Sequence, residues 1–132
     1  MKLRTFEEKI VELEEVTIRS RIDGIIQVTF KEGIELNVDL QERMMVVYLQ
    51  LCGDEKRPFL FNAFNDIDIT REARDHSAVL EKIYPGSATA VIADTVAYKL
   101  IANFYLKFNK PRTPYKVFNN IVSAEVWLKT YL

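Results

Sequence analysis

The densest group of chemically capable side chains in this chain is Asp66-Ile67-Asp68-Ile69-Thr70-Arg71-Glu72-Ala73-Arg74. Three carboxylates, a hydroxyl and two guanidinium groups fall within nine residues, one residue after the apolar run Phe59-Leu60-Phe61-Asn62-Ala63-Phe64. Asp66 and Asp68, with Asp94 further on, are oxygen ligands of the kind that hold a hard cation such as Mg²⁺. They also serve as turn and cap residues, because a short carboxylate bonds readily to nearby backbone N–H groups. Thr70 is placed to cap a helix, and a phosphate on it would lie at that helix N-terminus beside Arg71 and Arg74. His76 and Cys52 are the only histidine and the only cysteine. Neither stands at motif spacing from a nucleophile or base, so both read as structural. A second group, Asn103, Asn109 and Lys110 with Lys107 and Arg112, surrounds a basic loop that could take a phosphate or lipid headgroup. Its Asn109-Lys110-Pro111 is equally well explained as a helix stop.

These groups have to be positioned by elements, and the hydrophobic pattern supplies them. Residues 16–22 alternate with period two, and 25–30 do so again, with Ile26, Val28 and Phe30 on one face. Asp23-Gly24 between them predicts a tight turn, and so an antiparallel hairpin. Residues 1–13 fit a short helix or a lead-in strand, and 33–38 form a connector. Asp39 is the expected cap of a helix whose stripe is Leu40, Met44, Val47 and Leu51, with Glu42 as capping-box partner and Gly53 closing it. Asp54-Glu55-Lys56-Arg57-Pro58 reads as a polar loop before the run at 59–64, whose uninterrupted apolar character predicts a strand buried on both faces.

Thr70 then opens a helix buried through Ile69, Ala73, Ser77, Leu80 and Tyr84, which Pro85-Gly86 is expected to stop. Residues 88–93 are a strand whose small side chains allow close helix approach. A helix over 95–108 follows, capped by Asp94 or Thr95, with Phe104, Tyr105 and Phe108 on its apolar stripe. Tyr115 to Phe118 is a last strand, and Ser123 is expected to cap a terminal helix docked by Ala124, Trp127, Leu128 and Tyr131. The order is ββαβαβαβα. Alternating strands and helices imply an α/β fold with a mainly parallel sheet, an antiparallel N-terminal hairpin and helices covering the sheet.

Composition bounds the function. The 132 residues, 48% of them hydrophobic and 28% charged, suit one domain (1–132) with its own core. No apolar run approaches the roughly 20 residues of a membrane span. The lone cysteine excludes an internal disulfide framework and, with no leader pattern at the start, makes the cytoplasm the expected location. Residues 1–94 carry a charge balance of −6 and residues 95–132 one of +5. A chain with net charge −1 lacks the basic footprint of a nucleic-acid binder.

The element order, with Arg71-Glu72-Ala73-Arg74 after an acidic turn, Asn103-Phe104-Tyr105-Leu106, Asn109-Lys110-Pro111, Pro114, Val117-Phe118 and Ala124…Trp127-Leu128, resembles the SpoIIAA-like (STAS/SEC14-type) family of small bacterial proteins. The resemblance covers roughly residues 14–132. In well-studied relatives the turn after the central strand reads Asp-Ser-Ser/Thr-Gly, and its second hydroxyl is phosphorylated to release a partner kinase. Asp68 and Thr70 match the aspartate and the acceptor, while Ile69 and Arg71 replace the first hydroxyl and the glycine. The resemblance therefore implies a regulatory module like the anti-sigma factor antagonists, binding a protein partner, with Thr70 as phosphoswitch candidate.

No Gly-rich phosphate loop, metal-ligand motif or nucleophile–base pair is present, so the expectation is a non-catalytic module without cofactor. A homodimer through the opening hairpin or an apolar helix face is a candidate assembly. The alternative is a carrier of a small apolar molecule or lipid in a pocket under the 95–108 helix.

Overall fold

A computed structural model describes residues 5–62, 67–93, 96 and 112–132. Of the expected helix over 95–108 only Val96 is described, and its side chain is exposed; the rest of that helix, its caps Asp94 and Thr95, and the tail of the central strand at 63–64 lie outside the described residues.

The alternating segments form strands for the reason the pattern implies. In β2 (Val16–Ser20) and β3 (Ile26–Phe30) every second side chain is buried, and the two pair antiparallel with Val16 opposite Phe30. Their turn is one residue looser than the two-residue turn expected from Asp23-Gly24. Arg21 and Ile25 still share a ladder bond, Gly24 N–H donates to the Arg21 carbonyl, and only Gly24 takes positive φ, at 98°. A three-residue loop closed by a left-handed glycine meets the strand twist equally well. Asp23 keeps ordinary backbone angles and spends its carboxylate on Ile25 N–H and on Arg21.

The lead-in resolves as a strand, β1 (Lys9–Glu12), which pairs antiparallel with β2. The hairpin's outer edge is thus already occupied, and the edge strand on that side is β1, which carries charged residues of the kind that discourage edge pairing.

The connector at 33–38 contains β4 (Glu35–Leu36), and α1 (Val38–Cys52) follows. Asn37, not Asp39, is the cap: its Oδ1 accepts from Leu40 N–H at 2.9 Å. Asp39 sits in the first turn and pairs with Arg43. Both residue types cap well, so chain geometry rather than residue identity decided between them. Gly53 ends α1 with φ 59° and donates to the Leu49 carbonyl.

β5 (Arg57–Asn62) lies between β3 and β7 (Gly86–Ile92), parallel to both, in a sheet of order β1-β2-β3-β5-β7-β8. It is the interior strand that the run at 59–64 predicted. β6 (Asp68–Ile69) pairs parallel with β4 as a separate two-stranded sheet. α2 (Arg71–Leu80) ends earlier than Pro85-Gly86 would place it, because Lys82 and Ile83 N–H bond to Val79 and Leu80 carbonyls and tighten the last turn. β8 (Tyr115–Phe118) joins β7 in parallel. In α3 (Ile121–Lys129) the cap is Asn120, whose side chain accepts from Ser123 N–H; Ser123 is the donor rather than the cap.

The sheet is covered on both faces. Val16, Ile18, Ile26, Val28 and Phe59 pack against Leu40, Met44, Val47 and Tyr48 of α1, while Ile25, Leu60, Ala88, Ala90 and Ile92 pack against Ala124 and Leu128 of α3. Phe59 and Leu60 thus point to opposite cores, which is why this strand is apolar without alternation. Ala88 and Ala90 leave the room that α3 fills. Gly86 is required for a related reason: a Cβ there would meet the Tyr84 ring, which is held by its hydroxyl on Thr89 Oγ1 (2.6 Å) and by Phe59 at 4.9 Å between centroids.

Candidate functional site

The carboxyl ends of the parallel strands are the edge where open α/β sheets present ligand sites. Here that edge is built by the β4–β6 pair, anchored by Asp68 N–H on the Ile34 carbonyl and Thr70 N–H on the Leu36 carbonyl, both 3.0 Å. The short pair fixes where α1 and α2 begin, side by side.

Thr70 caps α2 as expected: its Oγ1 accepts from Ala73 N–H at 3.0 Å, and its carbonyl accepts from Arg74 N–H. Asp68, Arg71 and Arg74 are exposed around it, so the structure does bring these four sequence-selected residues to one corner. The hydroxyl is committed to the cap. Asp66 and Asp94, the other carboxylates of the cation hypothesis, and Asn103, Asn109 and Lys110 of the basic loop, lie outside the described residues. The pocket imagined under the 95–108 helix lies there too. Among the described residues no cluster of His, Cys, Asp and Glu is arranged for a metal. Nor is any described helix long and apolar enough to cross a membrane.

From this corner α1 and α2 run together. Gln41 Nε2 donates to the Ala73 carbonyl (2.9 Å) and to Ser77 Oγ (3.2 Å), and His76 Nε2 lies 3.1 Å from Glu42 Oε1. The last contact is within ion-pair distance when the ring is protonated but off hydrogen-bond geometry. These contacts set the register of the pair. One turn beyond Glu42 stands Val46, then Leu49; one turn beyond His76 stands Val79, followed by Ile83 in the closing turn. All four are large and apolar, and they are 54%, 41%, 55% and 53% exposed respectively.

Sequence reading missed this strip. It took the stripe through Leu40, Met44, Val47 and Leu51 as the meaningful one. The available signal was that Val46 and Leu49 fall off that stripe, as Val79 and Ile83 fall off the one through Ala73, Ser77 and Leu80. Arg57 was also missed. Placed in a polar loop by sequence, it is buried at the start of β5, with Nε on the Gly24 carbonyl (2.8 Å), Nη2 on Ser20 Oγ (2.9 Å) and its plane 4.4 Å from the Phe6 ring.

Charge elsewhere is structural. Arg43 bonds both oxygens of Glu15 and also Asp39, which holds the Glu15 carboxyl below its usual value. Burial pushes the Cys52 thiol up to about 11, opposed by the nearby Arg57 charge, so the thiolate needed for reactivity is suppressed.

A family model described as "Domain of unknown function (DUF7793)" matches residues 18–132. Among solved structures, an uncharacterised DUF3478-family protein with a SpoIIAA-like fold from Shewanella loihica PV-4 is 15% identical, with 97% of each chain covered and a TM-score of 0.53. The resemblance drawn from the motifs is borne out at the level of fold. A protein of unknown function from Arthrobacter sp. FB24 is 27% identical over 84% of this chain and 96% of its own, with a TM-score of 0.31. No curated protein matches.

Proposed function

The chain belongs to the DUF7793 family, and we propose from that premise that it is a non-catalytic protein-interaction module with regulatory work of the kind its SpoIIAA-like fold suits. The observation that carries the reading is the exposed apolar strip Val46 and Leu49 on α1, Val79 on α2 and Ile83 in the turn that closes α2. Each of these side chains forgoes burial, and a group of them on neighbouring elements is the surface signature of a docking face. Thr70, as a filled helix cap, supports positioning of α2 rather than chemistry. No group among those described combines a nucleophile with a base.

Native mass spectrometry of the protein purified from its own host tests the reading. A protein partner held in simple stoichiometry is the expected result. Protein recovered bare, or carrying a lipid or other small apolar molecule in place of a partner, would overturn it; the second outcome is that of a carrier.

A further inference from the structure

The exposed strips of α1 and α2 repeat the same order of chemistry. Along α1 it runs Asp39, Glu42, Val46, Leu49, and along α2 it runs Glu72, Asp75, Val79, Ile83. In each helix two carboxylates stand in the first turns and two exposed apolar side chains follow. The spacings of three and four residues keep each set on one flank. The Glu42–His76 and Gln41–Ser77 contacts hold the two helices side by side with their carboxylate ends together. Arg74 falls on the far side of α2 from His76 by helical spacing, while Arg71 stands one turn before Asp75 and shares its flank. On α1, Arg43 is engaged by Asp39 and Glu15. Glu42, Glu72 and Asp75 are exposed, so this end carries three carboxylates against Arg71, and the groove is anionic on balance at its carboxyl-edge half and apolar at its other half.

We infer that this groove docks an amphipathic helix from a partner protein, apolar along one face and arginine- or lysine-bearing at its carboxyl-terminal turn. The inference rests on the interaction-module reading above and names the chemistry of the partner. Val46, Leu49, Val79 and Ile83 supply the apolar half of a helix-in-groove contact. The carboxylates select the basic end and fix the direction. A helix lying antiparallel to α1 and α2 brings its own carboxyl terminus over their amino termini. There its basic side chains complement both its own macrodipole and the groove acids.

The probe is a fluorescein-labelled helical peptide with leucines on one face and arginines in its last turn, read by fluorescence anisotropy and by amide chemical-shift mapping. Two controls carry the same leucines with arginines in the first turn or glutamates in the last. The arginine-last peptide should bind tightest, weaken as salt is raised, and shift amides of α1 and α2. The pair Val46→Ser/Val79→Ser and the pair Glu72→Gln/Asp75→Asn should each weaken it by roughly tenfold. All four positions are exposed, so folding is retained and checked by circular dichroism.

Equal binding of all three peptides, unchanged binding by either pair of variants, or shifts confined to other elements would overturn the inference. Self-association abolished by Val46→Ser/Val79→Ser would overturn it too, by assigning the groove to a second copy. If the host-purified protein holds a partner that both variant pairs retain, the groove assignment fails while the module reading stands. If it holds none, the module reading itself fails.

Discussion

Arg57→Ala tests how the amino edge of the sheet is held together. Arg57 is 4% exposed, and its guanidinium donates to the Gly24 carbonyl at 2.8 Å and to Ser20 Oγ at 2.9 Å. A longer contact reaches the Leu51 carbonyl at 3.5 Å, and the Phe6 ring covers the group at 4.4 Å. It therefore ties the turn between β2 and β3, the end of α1 and the N-terminal segment to the start of β5. Each short charge-assisted bond contributes roughly 1.5–3 kcal/mol. The ring contact, away from water, contributes about 1–2 kcal/mol. Removing a buried charge returns part of this, since burial of the guanidinium is itself costly.

The expected net loss is about 3–5 kcal/mol, a large share of the ~5–15 kcal/mol that a domain of this size has. Urea unfolding should show it as a lower midpoint with an unchanged slope, and thermal unfolding as a drop of roughly 10–20 °C. Arg57→Lys should lie between, because an ammonium keeps the charge but loses the planar fork. Ser20→Ala should be partly non-additive with Arg57→Ala, since the two share a bond. A loss below about 1 kcal/mol for Arg57→Ala would refute the reasoning, by showing that the bonds only offset the desolvation of the charge.

Two further outcomes follow from the same geometry. Thr70→Ala should cost about 1 kcal/mol and fray the start of α2 in hydrogen exchange, whereas Thr70→Ser and Thr70→Asp should keep the cap; equal stability for all three would remove the cap from the account. Cys52, its thiol pushed up to about 11 from 9.0, should react slowly with maleimide at pH 8 until the protein is unfolded. As pH rises above 9 the unfolded thiol ionises first, so this group's contribution to stability is present below 9 and fades toward 11; a thiol titrating near 9 in the folded protein would contradict that.

Much of the fold was legible because the patterns that encode it are local. Alternation at 16–30 specified the hairpin, the unbroken run at 59–64 specified an interior strand, and small side chains at 88–93 specified a face closely approached by a helix. Thr70 was read correctly as a cap because it alone stood at the junction. The caps of α1 and α3 slipped by two or three residues, since Asn37 and Asp39, or Asn120 and Ser123, are chemically equivalent candidates. β1 stayed open between helix and strand because Ile10 and Val11 are adjacent and give no period. The β4–β6 pair is too short to leave any pattern.

What the sequence determined alone was therefore the class of fold, the order of its longer strands with α1, α2 and α3, and the position of Thr70 at a helix start. Only the tertiary structure decided which polar and apolar side chains count. Arg57 is a surface charge by composition and a buried clamp by position, because Gly24, Ser20, Leu51 and Phe6 reach it from separate parts of the chain. The strip on α1 and α2 is likewise invisible along the chain. Val46 and Val79 are unremarkable off-stripe valines until the contacts of Gln41 and Glu42 across to α2 place their flanks side by side. Periodicity reports which face of one element meets the core. A site made between two elements depends on their register, and register is set by packing.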